Sequence, residues 1–61
     1  MKKVDYKNLI VGALVKKRIM DIFEACEYFE RWWKIAVSGQ GPLWIQGFTK
    51  EESIEILTKI K

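Results

Sequence analysis

The chain has 61 residues, 49% hydrophobic and 31% charged, with a net charge of +3, which allows one small core and excludes a disordered composition. One cysteine, Cys26, and no histidine exclude an intramolecular disulfide and a structural zinc site, so no metal and no cofactor are expected. At this size apolar burial and the ordering of the chain, each about 90 kcal/mol, nearly cancel, leaving oligomerisation or binding as the remaining stabiliser.

The charge is uneven. Residues 1–20 carry six Lys/Arg against Asp5 alone, whereas residues 21–61 carry five basic and seven acidic groups. The apolar run Leu9 to Val15 is seven residues long, far short of the ~20 needed for a membrane span. Lys16-Lys17-Arg18 follows it where a signal peptide would place small residues. A single helical domain over 1–61, soluble and cytoplasmic, is expected, with no membrane partner.

The first helix is expected over 5–18, with Asp5 as N-cap. Tyr6, Leu9, Ile10, Ala13 and Leu14 form one buried face; Val11 and Val15 fall outside it, so the helix is apolar on two sides. Gly12 mid-helix costs about 1 kcal/mol relative to Ala, for which a close helix approach would be one reason. No Gly or Pro separates Arg18 from Asp21, so one continuous long helix is an alternative.

The second helix is expected over 21–38, opened by Asp21 and Glu24 at capping-box spacing. Ile22, Cys26, Phe29, Trp33, Ala36 and Val37 form its apolar stripe, widened by Phe23, Ala25 and Trp32. Glu27–Arg31 and Glu30–Lys34 are correctly oriented pairs, and Gly39 supplies a left-handed end. Gly39-Gln40-Gly41-Pro42 then forms a turn. Leu43, Trp44, Ile45 and Phe48 follow without helix signals, a packed aromatic loop with room for an extended piece at Leu43–Ile45. Thr49-Lys50-Glu51-Glu52 is a capping box for a last helix over 49–60, with Ile54 and Leu57 inward, Ile56 and Ile60 alongside, and a Glu55–Lys59 pair. The fold class is all-α, a small three-helix domain with an aromatic Gly-Pro loop before the last helix.

Catalysis has little to work with. Asp21, Glu24, Glu27 and Glu30 are explained by capping, dipole and pairing, and Cys26 on the apolar stripe reads as a core thiol. Gly39-Gln40-Gly41 matches no phosphate loop. No enzyme activity and no small-molecule substrate are expected. Trp- and Lys-rich bacteriocins share this size, but eight Asp/Glu and paired helices suit a folded soluble domain.

Glu24-Ala25-Cys26-Glu27-Tyr28-Phe29, then Gly41-Pro42, then Phe48-Thr49-Lys50-Glu51-Glu52 resemble excisionase-like winged helix-turn-helix domains over about half the chain. The resemblance implies an opening helix, a wing after Gly41-Pro42 and a closing helix, with DNA as partner. Arg31 to Ser38, where that family reads the major groove, is apolar and Trp-rich here, and Leu43–Gly47 carries no Lys or Arg. DNA binding, with Lys16, Lys17 and Arg18 on phosphates, is therefore the alternative.

The leading expectation is a non-enzymatic protein-binding module, a regulator or inhibitor that binds another protein or a second copy of itself. Small phage and mobile-element regulators share this size. Adjacent Trp32 and Trp33 are about 100° apart on a helix, so a narrow core face cannot hold both. Trp32, Trp33, Trp44, Tyr28 and Arg31 are the expected contact residues.

Overall fold

The local rules that begin and end helices operate visibly in a computed structural model of the chain, which describes residues 2–39 and 43–60. The helices are α1 (Lys3–Lys16), α2 (Ile22–Ser38) and α3 (Lys50–Ile60), and no strand occurs among the described residues. The all-α, three-helix reading holds. A wing after Gly41-Pro42 finds no strand among those residues; Gln40, Gly41 and Pro42 lie outside them.

Asp5 is not the N-cap of α1. It sits one turn inside, and its carboxylate accepts a hydrogen bond from the Lys2 amide at 3.1 Å, so the helix starts two residues earlier than expected. At the far end the chain does break. Arg18 adopts φ 58°, its N–H donates to the Val15 carbonyl, and the Ile19 N–H donates to the Leu14 carbonyl, both at 3.0 Å. These two bonds are a Schellman motif, normally built on glycine. Arg18 takes the left-handed position at a cost of about 1–2 kcal/mol, which is why no breaker was legible there.

The caps of the other helices follow their sequences. Asp21 accepts from the Glu24 amide at 2.8 Å. Gly39 ends α2 at φ 73°. Thr49 and Glu52 form a reciprocal box: the Thr49 hydroxyl accepts from the Glu52 amide at 3.1 Å and the Glu52 carboxylate accepts from the Thr49 amide at 3.0 Å.

α2 packs against both α1 and α3, which make no direct backbone approach to each other. The core is Tyr6, Ile10, Val11 and Leu14 of α1, Ala25, Phe29, Trp32 and Ala36 of α2, Ile45 of the loop and Ile56 of α3. On α2 the buried stripe is centred on Ala25, Phe29, Trp32 and Ala36, rotated from the expected one. Ile22, Phe23 and Val37 face outward, and Cys26 is a half-buried free thiol at the core edge. Leu9 and Val15 are exposed on α1. Gly12 has nothing within 4 Å of a β-carbon position among the described residues, so no close approach among them explains it.

Glu30 does not pair along its own helix. Its carboxylate meets Lys3 Nζ at 2.8 Å and Lys7 Nζ at 4.0 Å across to α1, and the hydrogen bond from Lys3 holds its pKa below the ordinary 4.5. The Glu55–Lys59 pair forms at 3.4 Å. Glu27–Arg31 is not an ion pair among the described residues.

Candidate functional site

The aromatic loop is held by polar bonds from three directions. Ile45 is fully buried, and its amide donates to the buried Ser53 hydroxyl at 3.2 Å, fixing the loop to α3. The Tyr28 hydroxyl donates to the Trp44 carbonyl at 3.3 Å and accepts from the Gln46 amide at 2.9 Å, fixing it to α2. Lys17 reaches from the end of α1, donating to the Gly47 carbonyl at 2.6 Å and lying 5.1 Å from the centre of the Phe48 ring. The turn itself closes from the Phe48 amide to the Ile45 carbonyl at 3.0 Å. Gly47 takes φ 84° at its third position, the conformation a type II turn demands of glycine. A β-carbon there would overlap Ile19 Cδ1.

This bracing carries Trp44 to the surface. The residue is 64% exposed, yet its indole N–H donates to the Phe48 carbonyl at 3.0 Å. Beside it lies a groove of about 430 Å³. Leu43 and Trp44 form one wall; Lys50, Ser53, Ile54, Leu57 and Thr58 of α3 form the other. The lining is mainly apolar, and among the described residues Lys50 is its one ionic group.

The expected contact residues are dispersed. Trp32 is only 4% exposed and belongs to the core, so its ring is not on the surface. Its indole N–H is buried without a hydrogen-bond partner among the described residues. Trp33 is half-buried on the α1 side, its ring 5.7 Å from those of both Tyr6 and Phe29. Tyr28 supports the loop. Arg31 is exposed on α2. Only Trp44 lines the groove. The sequence reading missed Leu43, Lys50, Ile54 and Leu57 as groove residues. The available signal was the four aliphatic positions of α3, more than one face of an eleven-residue helix requires.

The basic cluster is divided. Lys17 is engaged by Gly47 and Phe48, while Lys16 and Arg18 are exposed. All three lie at the C-terminal end of α1, where the helix dipole favours positive charge.

Among the described residues no helix is long and apolar enough to cross a membrane. No family model, no curated protein and no solved structure matches the chain.

Proposed function

We propose that the chain is a small protein-binding module that takes an apolar segment of another protein into the groove between Trp44 and α3. The observation that supports this most is the combination of exposure and bracing at Trp44: a residue 64% exposed whose indole N–H donates to the Phe48 carbonyl and whose backbone carbonyl accepts from the Tyr28 hydroxyl. A large aromatic already held in place loses little conformational entropy on binding, which favours it as an interface anchor. The groove lies within the usual range of ligand pockets, and about two or three apolar side chains would fill it. Lys50 at its rim suits a segment with an acidic residue beside its apolar anchors.

Phosphate contact by Lys16, Lys17 and Arg18 draws less support, because Lys17 is already occupied by the loop. Salt-sensitive binding to random duplex DNA, lost on joint Lys16→Glu and Arg18→Glu substitution, would favour it.

The groove reading is tested by selecting a displayed random peptide library against the immobilised protein. Enriched peptides should carry closely spaced large apolar residues with an acidic neighbour. Their binding should weaken about tenfold or more with Trp44→Ala or Ile54→Glu, as expected for an interface anchor. Enrichment of peptides indifferent to both substitutions would overturn the reading.

A further inference from the structure

Four side chains lining the groove beside Trp44 carry a hydrogen-bond donor, and two of these donors are already engaged. The Trp44 indole N–H donates to the Phe48 carbonyl, and the Thr58 hydroxyl donates to the Ile54 carbonyl. The other two belong to Lys50 and Ser53. Lys50 is exposed and forms no ion pair among the described residues. Ser53 is only 2% exposed and lies at the groove floor. Its hydroxyl oxygen accepts from the Ile45 amide, and its proton has no acceptor among the described residues. A buried donor left in that state calls for a partner.

Lys50 and Ser53 are three positions apart in α3, which makes them neighbours on one side of the helix. Ile54 and Leu57 continue that side, and Leu43 and Trp44 stand opposite. The groove therefore has a donor-bearing end in the first turn of α3 and an apolar body. Among the described residues no carboxylate lines it. Glu51 and Glu52 share the first turn but not the lining, and Glu52 is bonded back to Thr49.

Resting on the groove as the binding site, we propose that Lys50 and Ser53 form its carboxylate subsite, which receives the side chain of a Glu or Asp in the bound segment. A carboxylate brings two acceptor oxygens and a charge, so one oxygen meets the Ser53 proton while the other meets the ammonium. A neutral carbonyl would satisfy Ser53 and leave Lys50 uncompensated. The arm matters as well. To reach the floor, the anion must arrive on methylenes that cross an apolar lining, which a Glu or Asp side chain supplies and a chain-terminal carboxylate does not. Lys50 stays in water at the rim, which limits the desolvation cost of the pair.

Two parallel selections from one displayed peptide library, against the wild type and against Lys50→Glu, test this. Both should enrich large apolar residues whose binding depends on Trp44. The charged companion should reverse, from Glu or Asp on the wild type to Lys or Arg on Lys50→Glu. In a synthetic peptide from the wild-type pool, replacing the acid by its amide should weaken binding about tenfold, whereas amidating the C-terminus should change it less than about twofold. Ser53→Ala should cost the acidic peptide about fivefold more than its amide counterpart. Loss of the Ile45 bond alone would weaken both peptides alike. Lys50 is exposed, so the reversal does not depend on how well Ser53→Ala folds. Apolar binders with no acidic companion, or one that Lys50→Glu leaves unchanged, would overturn the carboxylate subsite while the groove reading stood. Equal effects of Ser53→Ala on both peptides would overturn the part of Ser53, and a loss on C-terminal amidation would overturn the side-chain source. An absence of Trp44-dependent binders would overturn the subsite and the groove together.

Discussion

Lys17 donates to the carbonyl of Gly47 at 2.6 Å, across thirty positions of sequence. This bond joins the end of α1 to the loop that precedes α3, and the same ammonium faces the Phe48 ring. A charged hydrogen bond contributes about 1.5–3 kcal/mol and an exposed cation–π contact about 0.5–1, less the cost of ordering a lysine. Lys17→Met should therefore destabilise by about 1–2 kcal/mol in urea unfolding, and Lys16→Met by less than about 0.5. Equal effects would show that Lys17 is not the tie.

Glycine preferences run in opposite directions at three positions. Gly12→Ala should stabilise by about 0.5–1 kcal/mol, because the helix gains a better former and the β-carbon meets nothing within 4 Å. Arg18→Gly should also stabilise, by up to about 1 kcal/mol, relieving the left-handed residue in the Schellman turn. Gly47→Ala should cost about 1–3 kcal/mol from its positive φ and the overlap with Ile19. Thermal melts of the three variants check all three signs.

The three tryptophans should separate cleanly. Trp32→Ala opens the core and should cost about 3–5 kcal/mol, enough to unfold a domain of this size. Trp32→Phe should cost much less, since it keeps an aromatic and removes an unpaired buried N–H. Trp44→Phe should leave the fold intact while removing most of the iodide-quenchable fluorescence. Quenching unchanged by that substitution would show that Trp44 is not the exposed indole.

Acid should loosen the molecule through two carboxylates. The Thr49 amide holds Glu52 below its ordinary 4.5, and the hydrogen bond from Lys3 does the same for Glu30. Both bind protons more weakly in the folded state. Their contribution is therefore present above about pH 4.5 and is lost as the pH falls through the lowered folded values. Glu52→Gln keeps the capping geometry at neutral pH but removes the titration. Melts at about pH 7 and pH 3 should show a smaller acid loss for Glu52→Gln than for wild type.

The candidate site was only partly legible in the sequence. Trp44 stood out because an indole in a Gly-Pro loop has no helix stripe to join. Ile54 and Leu57 read as core residues because a periodic pattern marks an apolar side without saying what lies against it. Trp32 and Trp33 posed a real geometric problem, and the structure resolves it by enclosing one and packing the other, half-buried, against Tyr6 of α1. Lys17 read as a phosphate contact because nothing local reveals a partner thirty positions away.

By itself the sequence determined the all-α class, the caps at Asp21 and Thr49–Glu52, and the left-handed stop at Gly39. Those features depend on groups within about four residues of each other, where backbone hydrogen bonds are satisfied or left open. Only the tertiary structure decided the break at Arg18, the rotation of α2 that buries Trp32 and turns Phe23 out, and the bracing that exposes Trp44. Each of these depends on which surfaces meet. Helices with apolar residues on more than one side can settle that only against their neighbours.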